Sequence, residues 1–207
     1  MSAPKSRAAV LKAAERAFAE KGFDGARIAD IARKARLNKA MIYYFFKSKK
    51  QLCEAVLDDL YADLHGAIRA ATKSLSDPVE LFFAMVTGYF DFVNQRRTYP
   101  QIIQREVTGG GKFLSTIAQH LHPMYRDARR TIEAAIRCGR FRRVDPGQLL
   151  LSAVGLIVFY FNSARIFGMV ARTNPLSPAK VALRKREIVE LLKRGVLTRP
   201  AKTRGGN

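Results

Sequence analysis

The stretch LNKAMIYYFFKSKKQL, residues 37–52, sets Tyr43, Tyr44, Phe45 and Phe46 in a row among Lys39, Lys47, Lys49 and Lys50. Aromatic rings favour a core and lysines favour water, so a short segment holding both must have two faces. Read as a helix, it turns Ile42, Phe45 and Phe46 inward and Lys39, Ala40, Met41, Tyr43 and Tyr44 outward. The outward set suits recognition of a nucleic-acid duplex. A tyrosine ring packs on thymine methyls or sugars while its hydroxyl reaches a phosphate oxygen. Asn38 is placed to cap this helix by accepting from the free N–H groups of its first turn. Lys49, in the first turn of the next helix, brings a cation beside that helix's own N–H groups.

No comparable constellation supports catalysis. The chain has three histidines, no nucleophile beside an evident base and no glycine-rich phosphate loop, so no catalytic residue and no cofactor is implied. His120 and His122 form an H-x-H, too few ligands for a metal site. Cys53 and Cys138 form no C-x-x-C, and a reducing cytoplasm is the natural reading. The 207 residues carry 37 Lys and Arg against 17 Asp and Glu, a formal +20 that favours polyanionic partners. Residues 1–75 hold 15 basic and 8 acidic side chains, residues 76–207 hold 22 and 9, so the half with the aromatic cluster is not the more basic one. Much of the excess comes from Arg126, Arg129, Arg130, Arg137, Arg140, Arg142 and Arg143, read by default as a solvated face, with an anionic effector or a secondary contact with DNA as the alternatives.

The elements that must position the cluster read as all helix, because alternating strand patterns are absent and Gly and Pro fall at helix-punctuating spacings. Val10, Leu11, Ala14, Phe18 and Ala19 form one stripe, ending at KGFDG. Short helices follow over 28–35 and 39–45, joined by a tight turn. That arrangement is a helix-turn-helix, which places its second helix in the major groove. Ser48 looks like the N-cap of a helix running to about residue 73. Further helices are expected over about 78–95, from Pro100 to TGGG, over about 112–138, 145–171 and 178–192. The segment 149–170 is apolar over roughly a bilayer's thickness, but Asn162 and Arg165 interrupt it, which favours a helix covered by protein.

Residues 10–57, VLKAAERAFAEKGFDGARIADIARKARLNKAMIYYFFKSKKQLCEAVL, resemble the N-terminal domain of TetR-type transcriptional regulators. The matching features, in order, are A-x-x-x-F-A-E-K-G-F, then D-I-A, then a lysine followed by Y-Y-F-F, then S-K-x-x-L. Beyond residue 75 the likeness is to the architecture of that family, a larger helical domain that binds a small molecule and dimerises. The resemblance implies a helix-turn-helix domain over residues 1–50, a ligand-binding and dimerisation domain over 51–195, and a disordered tail over 196–207. It implies DNA contacts from Asn38, Lys39, Ala40, Met41, Tyr43, Tyr44 and Lys49, with Arg27 and Arg36 second in rank; Lys5 and Arg7 are candidates for a basic arm on the phosphates. The sequence departs from the family pattern in four places. Ala26 stands where a capping Thr or Ser is common, Arg36 where Gly is common, Phe45 where His or Tyr is common, and Met41 where Thr is common. Arg36 would be mildly strained by a positive φ.

The implied function is a homodimeric, ligand-responsive regulator, a repressor released from a palindromic operator by a small molecule. A sequence-indifferent DNA-compacting protein is the alternative reading of the charge. Tyr89, Phe92, Phe113, Tyr160, Asn162 and Arg165 are the candidate ligand contacts, for an effector that is partly apolar and bears an acid group. The apolar helix and Val181, Ile188, Val189, Leu191 and Leu192 of the last helix are the candidate dimer interface.

Overall fold

Helix boundaries follow local chemistry closely. The computed structural model describes residues 3–198, with side chains from Ser6 onward, and among these residues there are nine helices. They are α1 (Ala3–Gly25), α2 (Ile28–Ala35), α3 (Lys39–Phe46), α4 (Lys49–Thr72), α5 (Pro78–Gln95), α6 (Thr98–Thr108), α7 (Leu114–Arg137), α8 (Pro146–Val170) and α9 (Pro178–Val196). The all-α expectation holds, and the only strand-like pairing among them is an isolated bridge between Phe141 and Leu197. Pro78, Pro146 and Pro178 each open a helix, where the missing N–H costs nothing. Asp77 accepts from the N–H groups of Val79 and Glu80, and Asp145 from that of Gln148.

Three boundaries differ from the expected ones. Helix α1 runs past Glu20 to Gly25, but with a break at Gly22, whose φ of 69° interrupts regular helix. Helix α6 starts at Thr98 instead of Pro100, and α9 extends to Val196. Pro123 lies inside α7. The sequence reading passes over it because the amphipathic pattern continues on both sides, although a proline there removes one helix hydrogen bond. Of the tail expected over 196–207, residues 199–207 lie outside the described residues.

The chain divides into two compact units, one of residues up to 67 with 91–123, the other of 68–90 with those from 124 onward. In the first, Val10, Ala14 and Phe18 of α1 join Ile31, Ala32 and Ala35 of α2, Ile42 and Phe46 of α3, and Leu52, Val56 and Leu60 of α4, all buried. Phe92, Tyr99, Ile102 and Phe113 complete that core. In the second unit the buried set is Phe82, Val86 and Phe90, Ile132 and Ala135, Phe141, and the inner faces of α8 and α9. Phe90 meets Phe161 at 5.4 Å between ring centroids, and Phe82 meets Phe141 at 5.4 Å.

Within this chain helix α8 is covered on one side only. Leu149, Ala153, Ile157, Phe161 and Ala164 are buried, but Leu151, Val154, Phe159, Ile166, Met169 and Val170 are exposed, Val170 by 75%. On α9, Val181, Ile188 and Leu192 face the unit's own core, while Leu183 and Leu191 are exposed. The helix is long and apolar enough to span a membrane by composition, with one side packed on protein and the other uncovered.

Candidate nucleic-acid interface

Helix α3 is short, eight residues, and is held by few contacts. Asn38 is its N-cap: its side-chain oxygen accepts from the Met41 N–H at 2.9 Å, as expected from the sequence. Ile42 and Phe46 are buried beneath it, and Phe45 is half-buried with its ring edge-on to Tyr44 at 5.4 Å. Arg7 of α1 lies over the Phe46 ring at 5.0 Å, so it braces the end of α3 from within a helix and is not part of a loose arm. The side chain of Lys5 lies outside the described residues. At the far end, Ser48 accepts from the Gln51 N–H at 3.1 Å and starts α4.

The turn before α3 carries a strained residue. Arg36 closes α2 in the left-handed conformation, φ 57° and ψ 41°, with its N–H directed to Ala32 and Arg33 carbonyls. Asn or Gly would adopt that geometry more readily; an arginine there costs about 1 kcal/mol. At the start of α2 the N-cap is Arg27, with no side-chain cap. The missing cap was anticipated, but at Ala26, which is instead buried to 1% and serves as packing. Backbone N–H groups of the first turn reach the Arg27 carbonyl only.

The outward residues share one surface. Asn38, Lys39 and Ala40 are exposed, Met41 is half-buried, and Tyr43 and Tyr44 are exposed by 49% and 76%. Exposure of two adjacent tyrosines on a helix with two buried anchors leaves their rings and hydroxyls available to a partner. Arg27 and Arg36 are exposed as well. Lys49 is engaged differently: its ammonium donates to the Asp24 carbonyl at 3.2 Å and sits over the Phe23 ring at 4.6 Å. It ties the start of α4 to the end of α1. Sequence reasoning does not single out Lys47, which is exposed immediately after α3 with φ 38°, its N–H donating to the Tyr43 carbonyl at 2.9 Å. Its signal lay in the same lysine frame that drew attention to Lys49.

The helix-turn-helix is clasped by α6 and the turn that follows it. Arg105 donates to the carbonyls of Ala19 and Glu20, at 2.7 and 2.5 Å, near the Gly22 break. Lys112 pairs with Asp24 at 2.6 Å and holds that carboxyl below its ordinary range, chiefly through this hydrogen bond. Phe113 packs edge-on to Phe23 at 4.9 Å, and the buried Glu106 accepts from the Phe113 N–H at 3.0 Å. Arg96 bridges Glu15 of α1 to Asp59 and Asp63 of α4, at 3.3, 2.5 and 2.9 Å, and Thr98 donates to Glu15.

The six candidate ligand contacts are not gathered in one unit. Phe92 and Phe113 are core residues of the first, buried to 2%. Tyr89, Tyr160, Asn162 and Arg165 belong to the second. There the Tyr160 hydroxyl donates to the Pro175 carbonyl, and the Asn162 side-chain oxygen is buried without a hydrogen-bond partner. Arg165 is exposed, not enclosed as a charge on an apolar helix needing a partner. His120 meets Asp58 at 3.0 Å and stacks on Tyr61, and among the described residues no cluster suited to a metal ion forms.

Comparison with known proteins matches this arrangement on both sides of the chain. Residues 10–56 match the model of bacterial regulatory proteins of the tetR family, and residues 78–192 match that of the tetracyclin repressor-like C-terminal domain. The HTH-type transcriptional repressor NicS of Pseudomonas putida is 27% identical over 79% of this chain and 78% of its own. An uncharacterised HTH-type regulator of Bacillus subtilis, YdgC, is 27% identical over 93% of each. The structure of the ketosteroid transcriptional regulator KstR2 of Mycobacterium tuberculosis superposes with a TM-score of 0.76, at 18% identity, over 93% of this chain and 95% of that one. The structure of AibR in complex with isovaleryl coenzyme A and operator DNA gives 0.74, also at 18% identity, over 90% and 97%. Those identities speak for the fold alone. With the two family models covering the helix-turn-helix and more than half of the chain beyond it, this protein belongs to the tetR family of bacterial regulatory proteins and is a DNA-binding transcriptional regulator.

Proposed function

We propose that the chain acts as a homodimeric repressor that leaves a palindromic operator when a small molecule binds. The observation that carries this reading is the outer surface of α3, where Lys39, Ala40, Tyr43 and Tyr44 stand exposed, with Met41 half-buried beside them, on a capped helix anchored by Ile42 and Phe46. Ala40 lets the backbone approach the groove, the tyrosines reach base edges and sugars, and Lys39, with Arg27, Arg36 and Lys47 around it, meets phosphates. Lys49 acts through its hold on Asp24 and Phe23, setting the angle between α1 and α4. The uncovered apolar side of α8, with Leu151, Phe159, Ile166 and Met169, supports pairing of two copies. Two recognition helices then address half-sites about 34–36 Å apart, or a multiple of that.

The effector is a partly apolar small molecule. Because Arg165 lies on the exposed side of α8, it is read as bearing one hydrogen-bonding group, matched to the buried and unpartnered Asn162 oxygen, rather than as an acid. Its binding acts through α4, a continuous helix that begins at the recognition helix. Release requires that the molecule bind one conformation more tightly than the other; tight binding to both shifts nothing. Selection from a pool of random duplexes at physiological salt tests the reading. Recovery of an inverted repeat supports it, and uniform recovery would leave the DNA-compacting alternative in its place.

A further inference from the structure

From Phe113 to Ala179 the chain has nine arginines and no lysine, whereas its first 112 residues mix ten lysines with nine arginines. Seven of the nine fall between residues 126 and 143. A surface that needs only solubility has no reason to exclude lysine. Arginine is less strongly hydrated and presents a planar fork that fits phosphate oxygens, so its exclusive use points to a partner.

The geometry separates these arginines into two groups. Arg129 pairs with Glu133 at 2.8 Å, Arg130 reaches Asp127 only at 4.0 Å, and Arg140 pairs with Asp77 at 3.2 Å. The remaining acid nearby, Asp145, is committed to capping α8. Arg126, Arg137, Arg142 and Arg143 are exposed, and among the described residues no ion pair is seen for them. Arg126, Arg130 and Arg137 are spaced four and seven residues apart, which puts them on one face of α7 over about 16 Å of helix axis. A row of that length does not converge on a single small anion; it tracks a polymer. The turn carrying Arg142 and Arg143 is also held in place. Phe141 is buried, the Arg142 N–H donates to the Val196 carbonyl at 2.8 Å, and the Thr198 N–H donates to the Arg140 carbonyl at 3.1 Å. Between Leu114 and Asp145 the large exposed apolar side chains are Leu114 and Tyr125 alone, too little to wedge into a bilayer.

We propose that Arg126, Arg130, Arg137, Arg142 and Arg143 form a second DNA-contacting surface, which holds the phosphate backbone of duplex DNA without reading its sequence and acts independently of α3. The test measures binding of the full chain to a duplex lacking any selected site, over a series of salt concentrations. It compares the wild type with a variant changing all five arginines to Gln and with a variant in which Lys39, Tyr43 and Tyr44 are changed to Ala. Each phosphate contact contributes about 0.9 to the slope of log affinity against log salt. The five-Gln variant is expected to lose about 4 to 5 from that slope and at least tenfold in affinity, while the α3 variant keeps the slope that these arginines supply. If five substitutions unfold the protein, Arg142→Gln with Arg143→Gln, both in the exposed turn, is expected to remove about 2. An unchanged slope overturns the proposal. So does a five-Gln variant that binds duplex normally but no longer binds vesicles of anionic phospholipid or polyglutamate.

Discussion

Replacing Asn38 by alanine isolates the contribution of one hydrogen bond to DNA recognition. The side-chain oxygen of Asn38 accepts from the Met41 N–H at 2.9 Å and so closes the first turn of an eight-residue helix. A helix of that length does not persist by itself and depends on its cap and its two buried anchors. Loss of an N-cap costs about 1 kcal/mol, roughly a fivefold shift toward the frayed state. In the proposed dimer two recognition helices act together, so the operator affinity should fall by about 2 kcal/mol, or some 30-fold. The global melting temperature should move by only about 2–4 °C. Asn38→Ser keeps a capping oxygen and should recover most of the affinity. Fluorescence anisotropy on a selected duplex gives the affinities, and amide exchange over residues 39–43 reports the fraying. Equal affinities for the Ala and Ser variants would refute the reasoning, because Asn38 would then act by touching DNA or not at all.

Arg36→Gly should raise stability by about 0.5–1 kcal/mol, by relieving the left-handed geometry at φ 57°, and a melt that is unchanged or lower would speak against strain there. Arg27→Ser supplies the absent cap of α2 and should add about 0.5–1 kcal/mol in denaturant unfolding. Phe159→Asp, placed on the uncovered side of α8, should give a folded monomer in sedimentation equilibrium. Burial pushes the Cys53 thiol up to about 12, so at pH 8 a thiol reagent should label Cys138 quickly and Cys53 only on unfolding. The Glu80 N–H, followed by Arg140 and the Val79 N–H, holds the Asp77 carboxyl below its ordinary value of 3.8. Its stabilisation is complete above that value and is lost as pH falls through the lower folded one; Asp77→Asn should make the acid limb of the melting curve shallower.

Local chemistry made much of this fold legible. Asn38, Ser48, Asp77 and Asp145 cap helices as their types demand, and the break before α3 forces Arg36 into the conformation that a residue in Gly's usual place must adopt. What sequence could not supply was the neighbour across space. Lys49 reads as a phosphate ligand because its partner, the Asp24 carbonyl, lies 25 positions away and carries no side-chain signal. Arg7 reads as a free arm until Phe46 is placed beneath it. Phe92 and Phe113 look like ligand lining because aromatic spacing is the same for a cavity and for a core. The apolar run of α8 does not say whether its second side meets its own chain or none, and the structure leaves it uncovered.

The most direct measurement is the ratio of affinities for a selected duplex and a scrambled one, taken for the wild type and for the variant with Lys39, Tyr43 and Tyr44 changed to Ala. The variant is expected to melt like the wild type, to lose at least 100-fold on the selected duplex and to retain its weak affinity for the scrambled one. A variant that discriminates between the two as well as the wild type would show that the outer face of α3 does not read the operator.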